Sequence, residues 1–265
     1  ALTDAEIRSR ADLGFSAIDL YKPVAVAATE TDVYQAPMLY REHPQGESSI
    51  DAEQEFGAVT LVGGALSIDV RRPTVYTVTG TVEVAGKSYR QRSFLWFRLE
   101  FEGQGIGVQG LRMTYDSEGF PAIIELLEDS SGKVLFYVSK SLEELASASH
   151  GTVLEGRTFC VEPSVEERPD VLVVHLMGQG PQSMGPIVYE SAQSSDLTDV
   201  HCRCEPSKIE TISASVEYAL VPLAALGEDL TAVLSKAFGW SLSQGAIGFP
   251  APDWPFRSLR LPPLF

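Results

Sequence analysis

The sequence predicts a mainly β protein, a β-rich α+β chain. Its antiparallel meander is expected to form a sandwich or partly closed barrel, with an N-terminal, a short middle and a C-terminal helix. Three observations predict this. Alternating apolar and polar residues run through the centre, as in "PTVYTVTGTVEV" and "ISASVEYALV", and a period of two marks strands with one covered face. Asp-x-x-Gly turns recur at "DSEG" (116–119) and "DSSG" (129–132); Asp accepts hydrogen bonds from the turn backbone and Gly takes the positive φ that follows. Helical periodicity is confined to the two ends and one short segment, which disfavours a doubly wound α/β fold.

In order, Thr3 and Glu6 have capping-box spacing, and Ile7, Ala11, Phe15 and Ile18 follow on one helical face. They predict a helix near 4–20, stopped by Pro23. "VAVAA" and "PMLYRE" read as short strands, and the acidic stretch 45–56 as a solvated loop. From Phe56 the period is two. Two long strands flank the Gly86 turn, one carrying Tyr76, Val78, Val82 and Val84 on a face, the other Leu95, Phe97, Leu99 and Phe101.

"LRMTY", "PAIIELLE" and "KVLFYVS" form a three-stranded meander around the Asp-x-x-Gly turns. Ser141 and Glu144 repeat the capping-box spacing and predict a helix over 141–148. "RTFCVEP", "DVLVVHLMG", "PIVYES" and "VHCRC" continue as strands, followed by the long strand "IETISASVEYALV". Leu226, Leu230, Val233, Leu234, Ala237 and Phe238 mark an amphipathic helix over 226–238 that Gly239 ends. In the proline-rich tail, Phe249, Trp254, Phe256, Leu261 and Phe265 are too apolar to remain solvated. They are expected to pack on the chain's own sheet or on a partner subunit. No polar linker divides the chain, so 1–265 reads as a single β-rich domain. Within it, 1–22 is the N-terminal helix, 56–221 the sheet core, 222–248 the C-terminal helix region and 249–265 the packing tail.

The formal net charge is −16. Nucleic acid is excluded as a partner, because phosphate binding needs a basic stripe and none is visible. No apolar run approaches the roughly 20 residues a membrane helix needs. The chain opens "ALTDAEIRSR", without a signal peptide, and three cysteines are too sparse for a disulfide scaffold. The expectation is a cytoplasmic protein over an exported or periplasmic one.

Four groups of residues carry candidate chemistry. In "VHCRCEPS", strand alternation puts Val200, Cys202 and Cys204 on one face and His201, Arg203 and Glu205 on the other. Buried thiols are the plainest reading. A disulfide through Cys160, or a zinc site of Cys160, Cys202, Cys204 and His175, is the alternative. No cofactor is otherwise implied. Ser183 with His175 and Asp196 or Asp199 supplies a nucleophile, a base and an orienting carboxylate. Its setting, G-P-Q-S-M-G, departs from G-x-S-x-G.

"EGQGIGVQG" contains G-x-G-x-x-G but leads into a strand, which favours a hairpin or bulge over a nucleotide loop. Glu100, Glu102, Glu125 and Glu128 lie on neighbouring strands. Two of them about 5–9 Å apart would suit glycoside hydrolysis, with Trp96 as a sugar platform, although exposed strand acids are the plainer reading. The function expected first is therefore non-catalytic. It is either binding of a small-molecule or carbohydrate ligand, or a subunit scaffold forming a homo-oligomer through the 249–265 tail. A hydrolase using Ser183/His175 or a carboxylate pair, and a thiol or metal protein, are the alternatives.

Overall fold

The computed structural model describes residues 18–24, 30–42, 56–99, 105–127, 134–151, 171–176, 185–190, 197–201 and 212–238, with 252–253 and 256. Among the described residues there are thirteen strands and three α-helices, so the fold is mainly β. The chain divides into two compact units, with boundaries inside four strands. Unit 1 comprises 1–76, 96–109 and 184–221; unit 2 comprises 77–95, 110–183 and 222–265.

In unit 1, β1 (Ile18–Val24), β2 (Met38–Glu42), β11 (Ile187–Glu190), β12 (Leu197–His201) and β13 (Ile212–Pro222) lie in the order β13–β1–β2–β11–β12. The predicted N-terminal helix is corrected here, because Ile18 to Lys22 are strand. β1 pairs in parallel with β13 and antiparallel with β2, so both its backbone edges are satisfied. That pairing, in a segment rich in β-favouring Ile, Tyr and Val, outweighs a helical spacing that reached only one residue of it. Residues 4–17 lie outside the described residues.

The sheet is not purely antiparallel either. β11 also runs parallel to β2, stitched at its start by Gly185 N–H donating to the Tyr34 carbonyl and Met38 N–H to the Pro186 carbonyl. Helix α1 (Glu30–Gln35), unannounced in the sequence, occupies the connection between β1 and β2. Tyr218 on β13 donates its hydroxyl to the Pro37 carbonyl. β13 alternates as expected, with Tyr218 and Leu220 buried and Ser215 and Glu217 exposed. β3 (Phe56–Val62) pairs with β4 (Ala65–Asp69), and its first two residues pair with the end of β6 (Lys87–Leu99).

Unit 2 contains the predicted meander. β7 (Ile106–Tyr115) ends in unit 2, where β8 (Pro121–Leu127) and β9 (Val134–Ser139) pair successively with it in antiparallel fashion. The "DSEG" turn forms as expected: Asp116 Oδ1 accepts from the N–H groups of Glu118 and Phe120, each at 2.9 Å, and Gly119 has φ +89. "DSSG" lies outside the described residues.

After β9 the expected antiparallel order fails. Helix α2 (Lys140–His150) returns the chain so that β10 (Val171–Leu176) pairs in parallel with β9, as a crossover helix requires. The helix was expected, but its cap is Ser139, whose Oγ accepts from Leu142 N–H. Ser141 instead shares a hydrogen bond with Ser139 Oγ. Ser139 wins because it is the last extended residue, which is the geometry an N-cap needs. The C-terminal helix is α3 (Glu228–Phe238). Leu226 belongs to a preceding 3-10 turn, and Gly227 at φ +78 separates the two.

Two further expectations change. β6 alternates up to Arg92, but Ser93 to Phe97 are all buried, so both its faces are covered where one was expected to be wet. Gly110, from the glycine-rich stretch, lies inside β7. A Cβ there would stand 2.3 Å from the Phe94 carbonyl oxygen, so glycine permits close backbone approach and forms no phosphate loop. Of the tail, Phe256 is buried with its ring 4.9 Å from that of Tyr89, and the Pro252 carbonyl accepts from Gln91 Nε2 at 2.8 Å. These residues pack on the chain's own β6; Phe249, Trp254, Leu261 and Phe265 lie outside the described residues.

Gly110→Ala is expected to destabilise the fold by about 1–3 kcal/mol, the usual range for overpacking. Urea unfolding measures it; a change within a few tenths would show that the strands can separate to admit the methyl group.

Candidate functional site

Charged side chains inside a β protein need an explanation, because an ionised group leaves water only at a cost that a partner must offset. Each unit contains such a group, and the two are built differently.

In unit 2, Arg112 on β7 faces its Cα partner Glu125 on β8. Arg112 Nε donates to Glu125 Oε2 at 2.6 Å and Nη2 to Oε1 at 2.7 Å. Both residues are essentially inaccessible, Arg112 at 2% and Glu125 at 0%. Burial lifts the Glu125 carboxyl above the usual glutamate range, and the Arg112 charge and hydrogen bonds offset part of that rise. The geometry is bidentate, short and closed on itself.

Close by in sequence, Tyr115 is buried with the Arg90 guanidinium 4.4 Å from its ring centre. Burial pushes the Tyr115 hydroxyl up to about 12, against the opposing pull of Arg92 and Arg90. It stays a neutral phenol at ordinary pH.

In unit 1 the charges form a row. The register sets Asp19 on β1 opposite Arg41 on β2, and Arg41 opposite Glu190 on β11; directly opposite residues share a face. All three are buried. Arg98, near the end of β6, reaches the same carboxylate. Arg41 Nε stands 3.6 Å and Arg98 Nη1 3.8 Å from Glu190 Oε1. Both distances exceed direct hydrogen-bond range. Arg98 Nε is buried and has no hydrogen-bond partner among the described residues.

Beside this row lies an aromatic group. Phe56, the Cα partner of Arg98, has its ring 5.1 Å from Tyr21, 6.4 Å from Trp96 and 6.3 Å from Tyr218. Trp96 donates its indole N–H to Gln109 Oε1 at 3.2 Å. The opposite face of β2 and β11 carries a separate apolar cluster of Tyr40, Ile187 and Tyr189.

The residues singled out in the sequence fare unevenly. Glu125 is a correction: it is neither an exposed strand acid nor one of an open carboxylate pair. β8 is covered on both faces, so an acid on it must find a cation inside. Trp96 is a second correction, since at 1% exposure it is a core residue and no platform for a sugar. His175 lies on β10 opposite Val138, and Asp199 on β12 opposite Tyr189. Val200 on β12 is buried. Cys160, Ser183, Asp196, Cys202 and Cys204 lie outside the described residues, as do Glu100, Glu102 and Glu128. Among the described residues no group of three or more His, Cys, Asp or Glu is placed to hold a metal ion, and no helix is long and apolar enough to cross a membrane.

Sequence reading missed Asp19, Arg41, Arg98, Arg112 and Glu190. The available signal was phase: Arg41 shares a strand face with Leu39, and Glu190 with Val188, both buried. A charge at an apolar phase marks an interior ion.

No protein-family model, curated protein or solved structure matches this chain. The site therefore rests on its geometry.

Glu125→Gln leaves the Arg112 charge buried and unmatched, and is expected to cost about 3–5 kcal/mol at neutral pH. Replacing both by leucine should restore most of it. Folding raises the Glu125 pKa, so its proton-linked contribution is full below the unfolded pKa and is lost as pH rises through the folded one. The wild type should accordingly gain on the double-leucine variant as pH falls. Denaturant melts across pH test both; equal losses in the single and double variants would contradict the pairing.

Proposed function

We propose that this chain is a non-catalytic binding protein whose ligand is a small polar molecule, carrying acceptor oxygens, held against the charged row of unit 1. The observation that carries this reading is Arg98. Its Nε–H is buried without an acceptor among the described residues, and its Nη1 stands 3.8 Å from the nearest Glu190 oxygen. A buried guanidinium left short of acceptors costs stability, and a bridging group removes that cost. A ligand oxygen between Arg98 and Arg41 would accept from both, while Glu190 would keep the two cations in position. Carbohydrate hydroxyls, carboxylates and phosphates all supply such oxygens.

Two further observations count against the carboxylate-pair and tail-contact readings. Glu125 is bound up with Arg112 in both its oxygens, which removes it from a glycosidase pair. Pro252 and Phe256 are engaged by the chain's own β6, which weakens a subunit contact through that part of the tail.

A thermal-shift panel of sugars, carboxylates and phosphates tests the proposal. Ligand at about a hundred times its Kd adds roughly 2.7 kcal/mol, so one class should raise the wild-type Tm by about 5 °C or more. The Arg98→Met variant should lose that shift while folding normally. Shifts of equal size in the wild type and Arg98→Met would sink the assignment.

A further inference from the structure

The β3–β4 hairpin is anchored in unit 1 at its base, where Phe56 to Val59 are buried, and leaves its outer part without a further strand partner among the described residues. β3 pairs with β6 only at Phe56 and Gly57. At Val59 the amide donates to the Tyr76 hydroxyl at 2.9 Å, a side-chain bond standing where a neighbouring strand would otherwise be. From there to the tip, β3 and β4 pair only with each other among the described residues. A two-stranded ribbon of this kind is marginal alone in water.

The turn fixes which groups the ribbon offers. Gly63 and Gly64 both have positive φ, +61 and +85, and Val62 faces Ala65 across them. This is the two-residue type I′ loop, in which the flanking pair is hydrogen-bonded. Alternation then turns the N–H and C=O groups of Leu66 and Ile68 outward, to the open edge of β4. The same alternation gathers the pairs Val59–Ile68 and Leu61–Leu66 on one face. Leu61 is 37% exposed and Val62 at the tip 66%.

Natural edge strands are guarded by charges, prolines or bulges; the run Ala65-Leu-Ser-Ile68 has no charge or proline, and its pairing register with β3 is unbroken. We propose that this open edge is where two copies of the chain pair, β4 against β4 in antiparallel register about Ser67.

Two features select a second copy over another occupant. The first is self-complementarity. Pairing about Ser67 sets Leu66 of each copy opposite Ile68 of the other, and those are the residues whose backbone groups face outward. It extends the apolar face into rows of Val59, Ile68, Leu66 and Leu61 across four strands. The second is charge. The chain carries −16, yet from Phe56 to Val82 its only charged residues are Asp69, Arg71 and Arg72, one acid and two bases. Asp69 is held by both arginines at 2.9 Å. The hairpin is thus a place where two strongly acidic copies meet without like charges opposed.

Sedimentation of the full chain from low micromolar to near-millimolar concentration tests this, with hydrogen exchange on the same samples. The expected result is a reversible monomer–dimer equilibrium in which the Leu66 and Ile68 amides gain protection as dimer forms. Leu66→Lys, which puts a charge on the shared face, and Leu66→Pro, which removes an outward N–H, should each weaken association about a hundredfold or more. Leu145→Ser, which trims an exposed leucine on α2, should leave it unchanged, and melting curves confirm that each variant folds. The proposal is overturned by a wild-type chain that stays monomeric throughout or a dimer that survives both Leu66 variants. A Leu145→Ser variant as weak as Leu66→Lys, or a monomer that takes up an unrelated strand-forming peptide along β4, would overturn it equally.

Discussion

Arg112 and Glu125 hold each other where neither meets water, and each can stay buried in unit 2 as a charge only while the other is present. β7 and β8 are covered on both faces, so neither strand has a wet side to which a long charged residue can escape. The bidentate contact satisfies both carboxylate oxygens and two guanidinium N–H groups within one pair of facing residues. A single-residue slip between the strands would bury each charge against apolar neighbours instead. The ion pair therefore acts as a register pin for the meander, a role that buried polar pairs fill in some other folds.

Unit 1 meets the same problem with a row of charges instead of one pair. Asp19 and Arg41 come from successive strands but Arg98 and Glu190 from distant ones, so the row exists because β2 and β11 run parallel and β1 lies beside β2. Its contacts to Glu190 are about an ångström longer than those of the closed pair. The closed pair satisfies its own charges, whereas Arg98 keeps a buried Nε–H without a hydrogen-bond partner among the described residues, and that is the reason a binding role is proposed for unit 1.

Much of the fold was legible because it is local. The "DSEG" turn, the meander through Glu125, the helix after Ser139 and the alternation of β13 each follow from a few consecutive residues. What failed was non-local. Ile18 fits a helical face by spacing, and only its partners on β13 and β2 make it strand. The parallel crossover at β10 depends on pairing with β9 across an intervening helix. Glu125 looked solvent-facing because one covered face was assumed; in "PAIIELLE" the unbroken apolar neighbours were the better guide. The Arg98–Glu190 contact joins residues about ninety positions apart, and no spacing rule reaches that far.

Arg112 and Arg98 differ in kind: the first has its Nε–H bonded to Glu125, and the second has its Nε–H buried without a hydrogen-bond partner among the described residues. Nuclear magnetic resonance of the arginine Nε–H groups tests this most directly, through their exchange with solvent in the unliganded protein. The Arg112 Nε proton should persist, held in its 2.6 Å bond to Glu125 Oε2, while the Arg98 proton exchanges much faster despite its burial and slows when ligand binds. An Arg98 proton as protected as that of Arg112, or an Arg112 proton exchanging as freely as that of a fully solvated arginine, would contradict this difference.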